Sequence, residues 1–99
     1  MKVNITSVKF KTDKKLDDYI SDKVEKLHQF FEGAISSEVT LRLDNSEKIK
    51  DKVVEIRVLV KGNDLFAKKE SKSFEDATDQ AVEALRKQLT KYKEKLKGI

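Results

Sequence analysis

One apolar stripe runs through the last quarter of the chain and limits what the rest can become. Phe74, Ala77, Thr78, Ala81, Val82, Leu85, Leu89, Tyr92 and Leu96 recur at spacings of three and four, which places them on one face of a helix. Ser73 can cap its start, with Asp76 three residues on. The pattern predicts about 24 residues, roughly 36 Å at 1.5 Å per residue, ending at Gly98. A helix that long with a single apolar face is stable only against a broad apolar surface. The preceding residues must supply that surface.

They do so with strands and one more helix. Val3 and Ile5 alternate within residues 2–10, a strand whose phase slips near Ser7, where a bulge or the strand's end is expected. Thr12 or Asp13 can cap a helix in which Leu16, Ile20, Val24, Leu27 and Phe31 form a stripe widened by Tyr19 and Phe30. Gly33 follows, where a left-handed residue would end the helix. Val39, Leu41 and Leu43 alternate with polar residues, a second strand. Residues 45–52 have no period and read as a loop. Val54, Ile56, Val58 and Val60 form a third strand, Lys61-Gly62-Asn63-Asp64 a tight turn, and residues 65–71 a fourth strand with Leu65 and Ala67 facing the core. Lys68 and Lys69 suit an edge.

The order β-α-β-β-β-α predicts an α+β fold. The strand–helix–strand unit favours parallel pairing through a right-handed crossover, and the last three strands favour an antiparallel meander. One apolar face per strand and one stripe per helix are satisfied by a four-stranded mixed sheet with both helices on one face.

The 99 residues are read as a single domain, 1–99. Hydrophobic residues make up 37% and charged residues 40%, enough apolar side chains for a core. The absence of cysteine removes disulfides and thiolate metal sites and fits a reducing cytoplasm. No apolar run approaches the ~20 residues of a membrane span. His28 lies off the first helix's stripe without a nucleophile or second histidine beside it, so it is expected on the solvent face. Asp17/Asp18 and Asp76/Asp79 are acid pairs that nothing in the pattern desolvates, and Glu75, Asp76 and Asp79 complement a helix N-terminus. Gly62-Asn63-Asp64 opens no helix and is not a phosphate loop. The expectation is a protein that is not an enzyme, with no cofactor, metal or small-molecule substrate.

The net charge of +4 is unevenly spread. Arg86, Lys87, Lys91, Lys93, Lys95 and Lys97 stand against Glu94 alone between positions 86 and 97, so this segment carries +5 and the remainder −1. Cations stabilise a helix C-terminus by ~0.3–1 kcal/mol, but one or two suffice and six repel one another. At 100° per residue from Leu85, Arg86, Lys93 and Lys97 fall at 80–120° and Lys87, Lys91 and Lys95 at 200–280°. Two positive rows flank the buried stripe, an arrangement able to follow a phosphate backbone. Phe66 is the one outward aromatic of the strands, so phosphate and shape recognition fit better than base stacking on the sheet.

With that order in place, the chain resembles the short ribosome hibernation-promoting factors, also called ribosome-associated inhibitor or protein Y and once labelled sigma-54 modulation proteins. The residues that carry the likeness are Asn4-Ile5-Thr6, Lys23, Lys26-Leu27, Phe30-Phe31 and above all the run from Leu85 to Lys97. The resemblance implies a fold similar to double-stranded-RNA-binding domains. It also implies binding in the tRNA and mRNA channel of the small ribosomal subunit, on free subunits or whole ribosomes, silencing translation in slow growth or stress. Carried over, Lys23, Lys26, Arg86, Lys87, Lys91, Lys93 and Lys95 would contact rRNA phosphates, and the protein would be a cytoplasmic monomer off the ribosome. Two departures stand out. The family's Asp-x-Tyr at the start of the second helix is replaced by Ser73 and Glu75, although Asp79 matches. The chain stops at Ile99, so pairing of ribosomes through an extra dimerisation domain is not expected. The alternative reading is a generic double-stranded-RNA-binding or protein-interaction module. Against it, such domains run α-β-β-β-α with lysines opening the last helix, whereas here a strand comes first and the last helix begins acidic.

Overall fold

The computed structural model describes residues 2–8, 10–44 and 51–96. Strand β1 (Lys2–Ser7), helix α1 (Lys14–Phe30), strands β2 (Ala34–Leu43), β3 (Lys52–Val60) and β4 (Asn63–Ser71), and helix α2 (Phe74–Leu96) follow in that order. The sheet order is β1-β2-β3-β4. β1 runs parallel to β2, with Ile5 opposite Val39, and the other two pairings are antiparallel. The mixed sheet expected from the crossover and the meander is the one found. The loop read over 45–52 lies outside the described residues at 45–50, and Lys52 already belongs to β3. Lys97 and Gly98 also lie outside them.

The core sits between the sheet and the two helices. Val39 and Leu41 of β2 and Val54, Ile56, Val58 and Val60 of β3 meet Ile20, Val24 and Leu27 of α1 and Ala77, Ala81, Leu85 and Leu89 of α2. These α2 residues are all fully buried, so the stripe that opens the sequence reading is the stripe that packs. The phase slip at Ser7 is the end of β1. The Ser7 hydroxyl donates to the Phe10 carbonyl at 2.6 Å, and the Phe10 ring stacks on Phe74 at 5.1 Å.

Both helices start on the expected caps. The Asp13 carboxylate accepts from the Leu16 amide at 2.7 Å, and the Ser73 hydroxyl accepts from the Asp76 amide at 3.1 Å. The Asp76 carboxylate is held from behind by the Ser71 hydroxyl and by Gln80, at 2.8 Å from the latter. The other end of α1 differs from expectation. Phe31 leaves the helix in extended conformation, φ −135° and ψ 100°, while its amide still donates to the Leu27 and His28 carbonyls. Gly33 is therefore not a left-handed cap. It is needed for closeness: a Cβ there would stand 2.7 Å from the Phe31 ring. Gly62 is the residue with positive φ, +78°, in the two-residue turn between Val60 and Asn63.

Two further differences have local causes. β2 begins at Ala34, five residues before the alternation becomes visible, because a register shift between Ala34 and Ser36 breaks the period. His28 is not on the solvent face: it is 2% exposed, with Nε2 2.6 Å from the Ser37 hydroxyl. Ser37 occupies an inward position of β2, so the small hydroxyl makes room for the ring and partners it. Nδ1 has no hydrogen-bond partner among the described residues, and burial pushes the imidazole pKa below its usual 6.5.

Candidate nucleic-acid interface

The helices lie side by side and run in the same direction, since Tyr19 of α1 reaches Asp79 of α2 while Phe30 reaches Arg86 and Lys93. Both C-terminal halves therefore end on the same side of the molecule. Four of the seven expected cations gather along this seam. Lys23, Lys26 and Arg86 line a shallow depression of about 260 Å³ with Asp79, Val82 and Glu83. Lys93 is two turns beyond Arg86 on the same flank of α2.

Each of the four is held differently. Lys23 is 3.7 Å from the Asp79 carboxylate and lies over the Tyr19 ring at 5.5 Å. Lys26 pairs with Asp22 one turn back at 3.4 Å. Arg86 and Lys93 have no carboxylate partner among the described residues. Both lie over the Phe30 ring, at 5.0 and 4.6 Å from its centroid, and the Lys93 ammonium also donates to the Phe30 carbonyl at 3.3 Å. The ion pairs of Lys23 and Lys26 are exposed and exchangeable, so these cations stay accessible to a stronger anion.

The second row does not join the seam. Lys87, Lys91 and Lys95 are exposed on the opposite flank, the side on which Gln88 donates to the Phe66 carbonyl of β4 at 2.9 Å. Lys87 borders a shallow hollow with Lys69 of β4. Among the described residues no ion pair or hydrogen bond engages the ammonium groups of this row.

At the acidic end of the seam the Tyr19 hydroxyl donates to both Asp79 oxygens, at 2.8 and 2.9 Å. That bond to a carboxylate pushes the phenol up to about 12. A tyrosine beside Asp79 is thus supplied by α1, although α2 has none in its first turn. The contacts of Tyr19 and Phe30 across the seam escape a sequence reading, which assigns both to the stripe's margin. Their one signal is that margin, at the angular position where a neighbouring helix has to stand.

The far face of the sheet offers a contrast. Its outward positions carry Lys2, Arg42, Arg57 and Lys68 against Glu38, Glu55, Asp64 and Glu70, which cancel. Arg42 pairs with Glu55 at 3.1 Å and Arg57 with Asp64 at 3.6 Å. Arg57 also covers the half-exposed Phe66 at 5.7 Å. On the helix face the excess positive charge is local: the acids of the N-terminal halves offset their own cations, while Lys23, Lys26, Arg86, Lys87, Lys91, Lys93 and Lys95 of the C-terminal halves stand against Glu25 and Glu94 alone.

Comparison with known proteins fits this architecture. Residues 3–97 match the family model described as sigma 54 modulation protein / S30EA ribosomal protein. The chain belongs to this family. Among the family's named members, the ribosome hibernation promoting factor of Klebsiella oxytoca is 30% identical over 97 residues, 98% of either chain. That of Azotobacter vinelandii is 32% identical over 95 residues, 96% of this chain and 85% of its own length. In structure, a ribosomal subunit interface protein from Coxiella burnetii superposes with a TM-score of 0.82 at 22% identity, covering 94% of this chain and 98% of its own. The Protein Y N-terminal domain of Thermus thermophilus gives 0.79 at 22% identity, covering 93% and 99%. These two likenesses are of fold. They match this S30EA-family chain in its full order of strands and helices.

Proposed function

We propose that this protein is a ribosome-associated hibernation factor that binds rRNA of the small ribosomal subunit through its helix face, occupies the tRNA and mRNA channel, and silences ribosomes in slow growth or stress. The observation that carries the proposal is the concentration of positive charge at the C-terminal halves of α1 and α2, with Lys23, Lys26, Arg86 and Lys93 along the seam and Lys87, Lys91 and Lys95 beyond it. Membership of the family supports the ribosomal partner, because relatives over nearly the whole chain are named ribosome hibernation promoting factors.

Mechanistically the chain's part is steric and electrostatic. Phosphate neutralisation releases counterions and gives affinity that falls with salt. The rigid sheet holds the helices so that the bound domain excludes other occupants of the channel. The protein acts in the cytoplasm as a monomer until it meets a subunit.

Sucrose-gradient sedimentation tests this directly. At low salt the protein should travel with small subunits and whole ribosomes, slow translation in vitro, and leave when tRNA and mRNA are added in excess. Protein that stays at the top of the gradient removes the ribosomal reading. Undiminished binding to subunits already filled with tRNA removes the channel. Equal affinity for any RNA duplex would return it to a general double-stranded-RNA module.

A further inference from the structure

Arg86 and Lys93 present a physical oddity. They are like charges seven residues apart on one helix, about 10.5 Å along its axis at 1.5 Å per residue, and they share no carboxylate among the described residues. Left to themselves, two long cationic side chains would splay into water. Instead both converge on a single ring. Phe30 is the last residue of α1, and its carbonyl is one of the helix's unsatisfied C-terminal acceptors. Lys93 takes that carbonyl while its ammonium lies over the ring face. The ring is half-buried and packs against the core, so it is a fixed platform.

We propose that Phe30 is a positioning residue for the RNA contact: its ring and carbonyl hold Arg86 and Lys93 as a preorganised two-cation clamp for one stretch of phosphodiester backbone. This rests on the reading of the helix face as an RNA interface. Convergence of two cations without an acidic partner leaves a concentrated positive field, and an anion bound there relieves it. Arg supplies a planar fork able to meet a phosphate in two bonds, and Lys supplies a point charge beside it. Both side chains are already ordered, so binding does not have to immobilise them. Lys23 and Lys26 differ, because they must first leave their own carboxylates.

Binding of purified small subunits to fluorescently labelled full-length protein tests the proposal through three substitutions. Phe30→Leu keeps an apolar side chain but removes the ring face, Phe30→Met does the same should Leu unfold the chain, and Phe30→Tyr restores the face. Losing the order of two side chains should weaken binding roughly tenfold in Phe30→Leu and Phe30→Met, while Phe30→Tyr binds within about twofold of the parent. In an Arg86→Gln/Lys93→Gln background, Phe30→Leu should have no further effect, an outcome a merely structural role would not produce. Parent-like binding by Phe30→Leu, or the same loss in that background, overturns the clamp alone. A parent protein that does not bind small subunits overturns the ribosomal reading and the clamp with it.

Discussion

The outer lysine row can be removed without touching the fold, which makes its binding role measurable. Lys87, Lys91 and Lys95 are exposed, and their ammonium groups contact no partner among the described residues. Changing all three to Gln leaves helix propensity nearly constant. It also abolishes two like-charge pairs at i,i+4, each costing ~0.2–0.5 kcal/mol. Loss of Lys95 from the last turn offsets this by ~0.3–1 kcal/mol, so the variant should stay within about 1 kcal/mol of the parent, a change in Tm of at most a few degrees for a chain this size. Binding should respond quite differently. At ~0.7 per phosphate contact, seven engaged cations give a log–log salt slope near −5, and loss of three brings it to about −3. Relative to 1 M salt, where the ionic term vanishes, those three contacts are worth about two decades at 0.1 M, roughly 100-fold in Kd or ~2.7 kcal/mol. Titrating labelled protein with small subunits at a series of KCl concentrations reads both quantities. An affinity loss below about threefold with an unchanged slope would show the row to be idle. A fall in Tm of more than about 5 °C would show it to be structural.

Three further outcomes are expected. Leu89→Ala truncates a fully buried side chain in the middle of the α2 stripe and should cost ~2–5 kcal/mol in urea unfolding, with binding retained in the folded fraction. Because the folded-state pKa of His28 lies below its unfolded value of 6.5, the unfolded chain binds more protons: stability should be complete above pH 6.5 and decline as pH falls toward the folded pKa. His28→Gln should flatten that slope, and it is the sole histidine in the chain. In a Tyr92→Phe background, ultraviolet titration should place the Tyr19 phenol at about 12, and Asp79→Asn should bring it back toward 10. A Tyr19 value unchanged by Asp79→Asn would mean that the bond does not form.

Features with a period or a local partner could be read before the structure. The alternation over Val54–Val60, the stripe of α2 and the caps at Asp13 and Ser73 concern residues at most a few positions apart, where geometry follows from backbone repeat. The misreading of the buried face of α1 involves a second element. His28 looks solvent-exposed from its own helix, and only Ser37 on β2 shows why it is buried. The cue lay in Ser37 sharing strand parity with Val39 and Leu41, a small polar residue in a core position. Gly33 looks like a cap until the Phe31 ring is placed over it. At the interface, helical angles separate the cations of α2 into two rows correctly. They cannot say which row meets α1, because no local pattern encodes the side on which the neighbouring helix lies. Tyr19 and Phe30 acquire their roles from that placement alone.

The order β1-β2-β3-β4 has a kinetic meaning. Every strand lies beside its neighbour in sequence, so the antiparallel meander of β2, β3 and β4 can assemble through short closures whose entropic cost is small, with β1 added across the α1 crossover, where Lys2 pairs with Ser36. The helix seam is another matter: Tyr19 meets Asp79 across 60 residues and Phe30 meets Lys93 across 63. A chain with its meander formed and α2 undocked would hold five of the seven proposed contact cations on one free helix, with the spacing between α1 and α2 undefined. The surface proposed to grip RNA is thus the costliest loop to close, and it exists as a unit only once the last helix has docked. Nascent or partly unfolded copies would carry the charge of the factor without its shape.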